Sequence, residues 1–156
     1  MIMPTTTPDA AAEALHARTI TRTLVPESRR SRFLPQLFPG RIRGLPGFLW
    51  GEAQLYDVAK KLCPDYRGGF WSFYRLSNTG LYAAPEMECA TVTVRWADNF
   101  FDGEMSPDAF GIVATLFALS AACCVSQSDA LAGRYDTLRD FAAEHDERNL
   151  IFRAID

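Results

Sequence analysis

Histidine is scarce in this chain of 156 residues: only His16 and His145 are present, and the four cysteines, Cys63, Cys89, Cys123 and Cys124, form no CxxC pair. These shortages exclude a histidine-rich metal centre, a four-cysteine zinc site and a regular disulfide framework. The cysteines read as reduced, small apolar fillers, and no metal or cofactor is expected. A GxSxG elbow is missing, and Gly44, Gly47 and Gly51 are wrongly spaced for a dinucleotide-binding or Walker loop. His145, between Glu144 and Asp146, falls at the end of a predicted helix, where a histidine more often meets terminal carbonyls than acts as a base. No catalytic residue is assigned. Residues 1–22 lack a continuous apolar core and a small-residue cleavage site, so a secretory signal is not expected and a cytoplasmic location is.

What is present is ordinary globular composition, 48% hydrophobic and 22% charged, enough for one domain with its own core. The formal charge of -3 is unevenly spread. Residues 1–75 carry eleven basic and six acidic side chains, and residues 76–156 carry five and thirteen. Neither the basic nor the acidic half settles a partner. Arg29, Arg30, Arg32, Arg41 and Arg43 flank Phe33, Phe38, Phe48 and Trp50, a mixture able to grip a single nucleic-acid strand by charge and stacking. Thirteen acids interrupted by a long apolar stretch are too sparse to imitate DNA, which shows one charge per roughly 1.7 Å of axis.

The N-terminal stretch holds Pro4, Pro8 and Pro26 and no apolar stripe, so residues 1–28 are expected to form a flexible arm and residues 29–156 the domain. Order is expected from about Phe33, followed by a Gly/Pro-rich loop between Pro39 and Gly51. Leu55, Val58, Ala59 and Leu62 follow the helical period within 52–63, and Pro64 stops the element. Strands are expected at 70–76, 81–83 and 88–96, with a turn at 77–80 and a fourth short strand or a loop at 99–104. Ser106, Pro107 and Asp108 form a strong helix start, and almost every position from Ala109 to Val125 is apolar. This segment is read as a buried central helix rather than a membrane span, because no basic residues flank it. Two amphipathic segments close the chain. The expected fold is α+β: a small antiparallel sheet of three to four strands packed with the central helix and further C-terminal helices.

Glu52 falls on the apolar stripe of its helix, and its bland role is a carboxylate near the helix N-terminus. The strand around Trp71 has aromatics on both faces, so both are covered or one meets a partner.

Taken together, several segments resemble the ArdB/KlcA antirestriction family. They include Gly51-Glu52-Ala53 with Tyr56, Gly69-Phe70-Trp71-Ser72-Phe73-Tyr74 with Leu76-Ser77-Asn78, and Tyr82-Ala83-Ala84-Pro85. Ser106-Pro107-Asp108-Ala109 leading into 111–119, Leu138-Arg139-Asp140-Phe141-Ala142, and the closing Arg153-Ala154-Ile155-Asp156 match better still. The resemblance spans residues 30–156, with a longer 41–49 segment and His145-Asp146 where the family commonly has His-Pro. It implies a non-enzymatic, cytoplasmic α+β protein that protects incoming plasmid, phage or island DNA by blocking type I restriction. Its partner would be the type I restriction complex, a translocating state of it, or an accessory host factor. Arg30, Glu52, Trp71 and Asp156 are the partner-contact residues expected on this reading. A direct nucleic-acid-binding protein is the alternative, and a small hydrolase is a third.

Overall fold

In the computed structural model, which describes residues 19–156, the chain opens with strand β1 (Arg22–Leu24), a 3-10 turn (Glu27–Arg32) and the short helix α1 (Phe33–Leu37). A two-stranded hairpin, β2 (Arg41–Ile42) and β3 (Leu45–Pro46), leads directly into α2 (Gly47–Leu62). Then come β4 (Trp71–Leu76), β5 (Leu81–Pro85), β6 (Val92–Trp96) and β7 (Phe101–Met105). Three helices follow, α3 (Pro107–Ser126), α4 (Asp129–Ala143) and α5 (Arg148–Ile155). The α+β class agrees with the sequence. The strands do not share one sheet, however: β1-β4-β5 form an antiparallel three-stranded sheet, while β6 and β7 pair separately.

Helix α3 is the core of the molecule. The Ser106 hydroxyl caps it by accepting from the Ala109 N–H at 3.1 Å, and Pro107 occupies the first turn, as the sequence signals. Among the described residues it is the one helix long and apolar enough to cross a membrane, yet it packs against β5, α2, α4 and α5. Its close approach to the sheet depends on Gly111, where an added Cβ would lie 2.4 Å from Ala84 Cα. Thr115 is fully buried because its hydroxyl bonds to the carbonyls of Gly111 and Ala83.

Two boundaries differ from the sequence reading. Of the expected 1–28 arm, residues 1–18 lie outside the described residues, but 19–25 are docked. Arg22, Thr23 and Leu24 pair with Leu76, Arg75 and Tyr74, Val25 is buried, and the Glu144 carboxylate accepts from the backbone of Thr19 and Ile20. Backbone pairing needs no apolar stripe, which is why side-chain periodicity missed this strand. Helix α2 begins at Gly47, five residues before the expected start, within what reads as a loop. Its glycines serve packing: a Cβ on Gly51 would fall 2.1 Å from the buried Phe38 ring. The cysteines also differ from the expected fillers. Cys63 is buried, Cys123 half-buried, and Cys89 and Cys124 are exposed.

A polar cluster ties the start of α3 to the rest of the fold. Arg22 on β1 bonds to both the Asp108 carboxylate and the Tyr82 hydroxyl, and Tyr82 donates to Asp108 Oδ1 at 2.9 Å. His145, in the turn between α4 and α5, reaches Asp108 Oδ2 at 3.1 Å through Nε2, while its Nδ1 accepts the Glu147 N–H at 3.0 Å. With Nδ1 accepting from Glu147, Nε2 is the donor to Asp108. Burial works against charge on Asp108, but the bonds from His145 and Tyr82 and the Arg22 charge hold its carboxyl below the ordinary 3.8. Burial and the neighbouring Asp108 push the Tyr82 hydroxyl upward.

Two outcomes follow from this packing. Gly111→Ala is expected to lower stability by about 1–3 kcal/mol, because overpacking against the Ala84 backbone outweighs alanine's better helix propensity; an unchanged or raised urea midpoint would contradict the close contact. Because the folded-state pKa of Asp108 is depressed, its contribution to stability is complete above its ordinary 3.8 and is lost as the pH falls through the lower value. Asp108→Asn is therefore expected to be less stable than the natural protein at neutral pH, by about 1.5–3 kcal/mol. The two denaturation curves should converge below pH ~4, and a gap that stays constant with pH would assign the loss to some other contact.

Candidate functional site

Three of the four residues expected to contact a partner come together beside β4. Arg30, in the 3-10 turn, donates through Nη2 to the Trp71 carbonyl at 2.8 Å, and its guanidinium lies 4.4 Å from the Phe70 ring centre and 4.3 Å from that of Phe73. The cation is thus held between two aromatic rings by ring electrostatics and a backbone acceptor. Phe73 is buried and stacked on Phe33, whereas Phe70 is 59% exposed, so the pair presents a cation and an aromatic surface together.

Trp71 occupies a different position from an interface anchor. It is 2% exposed, and its indole Nε1 donates to the Tyr66 hydroxyl at 2.7 Å. Its ring also meets Tyr56 and Tyr66 at 5.7 and 5.8 Å. A partner cannot touch this indole without rearrangement of the fold; Trp71 supports the surface from beneath. Glu52 is half-buried in the second turn of α2, where its Oε1 accepts from the Tyr56 hydroxyl at 3.4 Å. The early start of α2 removes the role of an N-terminal dipole carboxylate for Glu52. Burial and the Glu52 charge push the Tyr56 hydroxyl upward. Arg30, Trp71, Tyr56 and Glu52 therefore form one chain of contacts, beside a groove of ≈ 270 Å³ lined by Tyr56, Lys60, Tyr66, Gly68 and Gly69.

Asp156 lies elsewhere. It follows α5, is exposed, and bonds through its N–H to Phe152. Its charge acts on Tyr135 of α4, whose hydroxyl is pushed up chiefly by burial. Tyr56, Tyr66 and Phe70 were not singled out in the sequence as site residues. The available signal was the four-residue step from Glu52 to Tyr56, which places them on one helix face.

The nucleic-acid constellation is only partly available at the surface. Phe33 and Phe38 are core residues, while Phe48 is exposed and Trp50 half-buried. Two of the four rings are thus unavailable for base stacking. Among the described residues His145, Cys63 and Cys123, groups suited to covalent or acid-base chemistry, are engaged in packing or hydrogen bonds. Both nitrogens of His145 are committed, to Asp108 and to the Glu147 N–H, rather than to the helix-end carbonyls expected from sequence. Burial raises the Cys63 and Cys123 thiols, which favours their unreactive form. Among the described residues no group of three or more His, Cys, Asp or Glu side chains is arranged to hold a metal.

Comparison with known proteins agrees with this architecture. Residues 64–156 match the family described as Antirestriction protein. The Escherichia coli antirestriction protein KlcA is 46% identical over 142 residues, covering 88% of this chain and 94% of its own. A putative antirestriction protein, YubI, from Escherichia coli K12 is 32% identical over 139 residues, covering 85% and 93%. A solved structure from work on KlcA and ArdB superposes with a TM-score of 0.76 at 42% identity, covering 89% of this chain and 96% of that one. That work describes a novel fold and antirestriction activity against type I DNA restriction systems in vivo but not in vitro. A fold built around the same α+β core, and identity sustained over most of both chains, place this protein in the antirestriction protein family.

Proposed function

We propose that this protein protects incoming mobile-element DNA in the cytoplasm by inhibiting a type I restriction-modification system, without catalysis and through protein recognition rather than imitation of DNA. The observation that carries the recognition site is the contact chain Arg30–Trp71–Tyr56–Glu52, which joins a cation on an exposed phenylalanine to a half-buried carboxylate. Mixed charge and aromatic surface suit a protein interface. Arg30 and Glu52 are the contacts, Trp71 holds them in place, and Asp156 contributes from a separate surface. Activity of the KlcA and ArdB relatives in vivo but not in vitro supports a target present only in the cell, such as a translocating complex or a host factor.

The direct nucleic-acid alternative makes a separable demand. Binding through several phosphates would fall steeply as salt rises, whereas a protein-directed inhibitor retains no DNA at low salt through this site. Plating phage on restricting and non-restricting hosts tests the activity itself. Glu52→Gln should lose most protection while melting close to the natural protein, since only the charge of a half-buried group changes. Trp71→Ala should lose both protection and about 3–5 kcal/mol of stability, as expected for truncating a large core aromatic. Full protection by a folded Glu52→Gln variant would remove this surface from the mechanism.

A further inference from the structure

A second polar centre lies at the opposite end of β4 from Trp71, where two guanidinium groups converge on one glutamine. Arg134 on α4 donates through Nε to the Gln36 carbonyl at 2.9 Å and through Nη1 to the Thr79 carbonyl at 2.8 Å. Arg75 on β4 donates through Nη2 to the Gln36 side-chain oxygen. Gln36 thus uses its backbone and side-chain acceptors to bring two like charges together. Among the described residues no carboxylate forms an ion pair with either arginine.

The arrangement is electrostatically unbalanced. Burial and the neighbouring Arg75 charge both lower the proton affinity of Arg134, so the two cations oppose one another with no protein anion between them. Arg134 is also fixed: its carbonyl bonds pin the end of α1 and the β4–β5 turn, and among the described residues its Nη2 has no acceptor. Arg75 is exposed, with donors to spare. A cavity of ≈ 360 Å³ opens beside Arg134, lined also by Pro39, Thr79, Gly133 and Thr137, and by Asp129, which pairs with neither arginine. Arg32, one turn before Gln36, is exposed and adds a further cation on the same segment.

The geometry points to a phosphate-binding site formed by Arg75 and Arg134 across Gln36. Two cations with no carboxylate paired to either favour a doubly charged anion over a singly charged carboxylate, and the donors they keep free, Nη2 of Arg134 and Nε and Nη1 of Arg75, match the several acceptor oxygens of a phosphate. The source is free phosphate or a phosphate group of a nucleic acid, which present the same oxygens. The site is separate from the Arg30–Glu52 surface and does not depend on it.

Inorganic phosphate titrated into the full chain at constant ionic strength, followed by calorimetry and by the guanidinium NMR signals of Arg75 and Arg134, tests the assignment. Saturable binding is expected, weakened roughly tenfold or more by Arg75→Gln, which removes only one exposed side-chain bond, to Gln36. Arg134→Lys keeps the charge but loses the planar guanidinium that the two carbonyls hold in place, so it should also weaken binding even where its melting temperature drops. Acetate at the same ionic strength should not compete. A short oligonucleotide that displaces phosphate from the natural protein but does not bind Arg75→Gln would identify nucleic acid as the source, and failure to displace would identify free phosphate. No saturation by phosphate, equal binding by Arg75→Gln, or equal competition by acetate would overturn the site.

Discussion

The structure depends on one carboxylate being placed where three parts of the chain meet. Asp108 sits in the first turn of the buried helix α3, where the positive end of the helix dipole already favours an anion. From there it receives Arg22 from β1, Tyr82 from β5 and His145 from the α4–α5 turn. Hydrophobic burial drives α3 into the core but is non-directional. The Asp108 contacts supply direction, fixing which strand lies against the helix start and how the last two helices return to it. His145 is itself held by the Glu147 N–H, and Glu147 in turn receives the Ser106 N–H at 2.8 Å, so the helix cap and the C-terminal turn share one network. A histidine and a carboxylate in contact suggest chemistry on a list of residues, but here they have no uncommitted imidazole nitrogen and serve architecture.

The elements that were legible in the sequence are those whose signals are local. Ser106-Pro107-Asp108 announced α3, the apolar run to Val125 announced its burial, and Ser77-Asn78-Thr79-Gly80 announced the β4–β5 turn. What escaped depends on contacts between distant segments. β1 is held by backbone pairing and by Arg22, neither of which leaves an apolar period. The first turns of α2 contain two glycines that resemble a loop until Phe38 is seen against Gly51. The separation of β6–β7 from the larger sheet likewise depends on tertiary packing, since alternation alone sets the faces of a strand and not its neighbour.

The same division applies to the proposed recognition surface. Helix and strand patterning brought Glu52 and Trp71 into view, Arg30 stood in the arginine-aromatic segment, and the fold gives them three different positions: a cation on an exposed ring, a carboxylate steadied by Tyr56, and a buried indole. Tyr56 and Tyr66 connect these positions but are ordinary residues when read one at a time. The surface stands on β4 and α2, whereas the Asp108 network fixes β1, β5 and the C-terminal turn. The proposed contacts Arg30 and Glu52 thus stand apart from the Asp108 network, while the buried Trp71 belongs both to the core and to the surface above it.

Native-state hydrogen exchange of Asp108→Asn against the natural protein tests most directly whether Asp108 joins these parts into one cooperative unit. The Val25 N–H, bonded to Phe73 at 2.8 Å, reports on β1, and the Glu147 N–H, bonded to His145, reports on the α4–α5 turn. Loss of protection at both amides together, with the middle of α3 retaining more, is the expected result. Unchanged protection at both, or a loss confined to one, would contradict a shared dependence on Asp108.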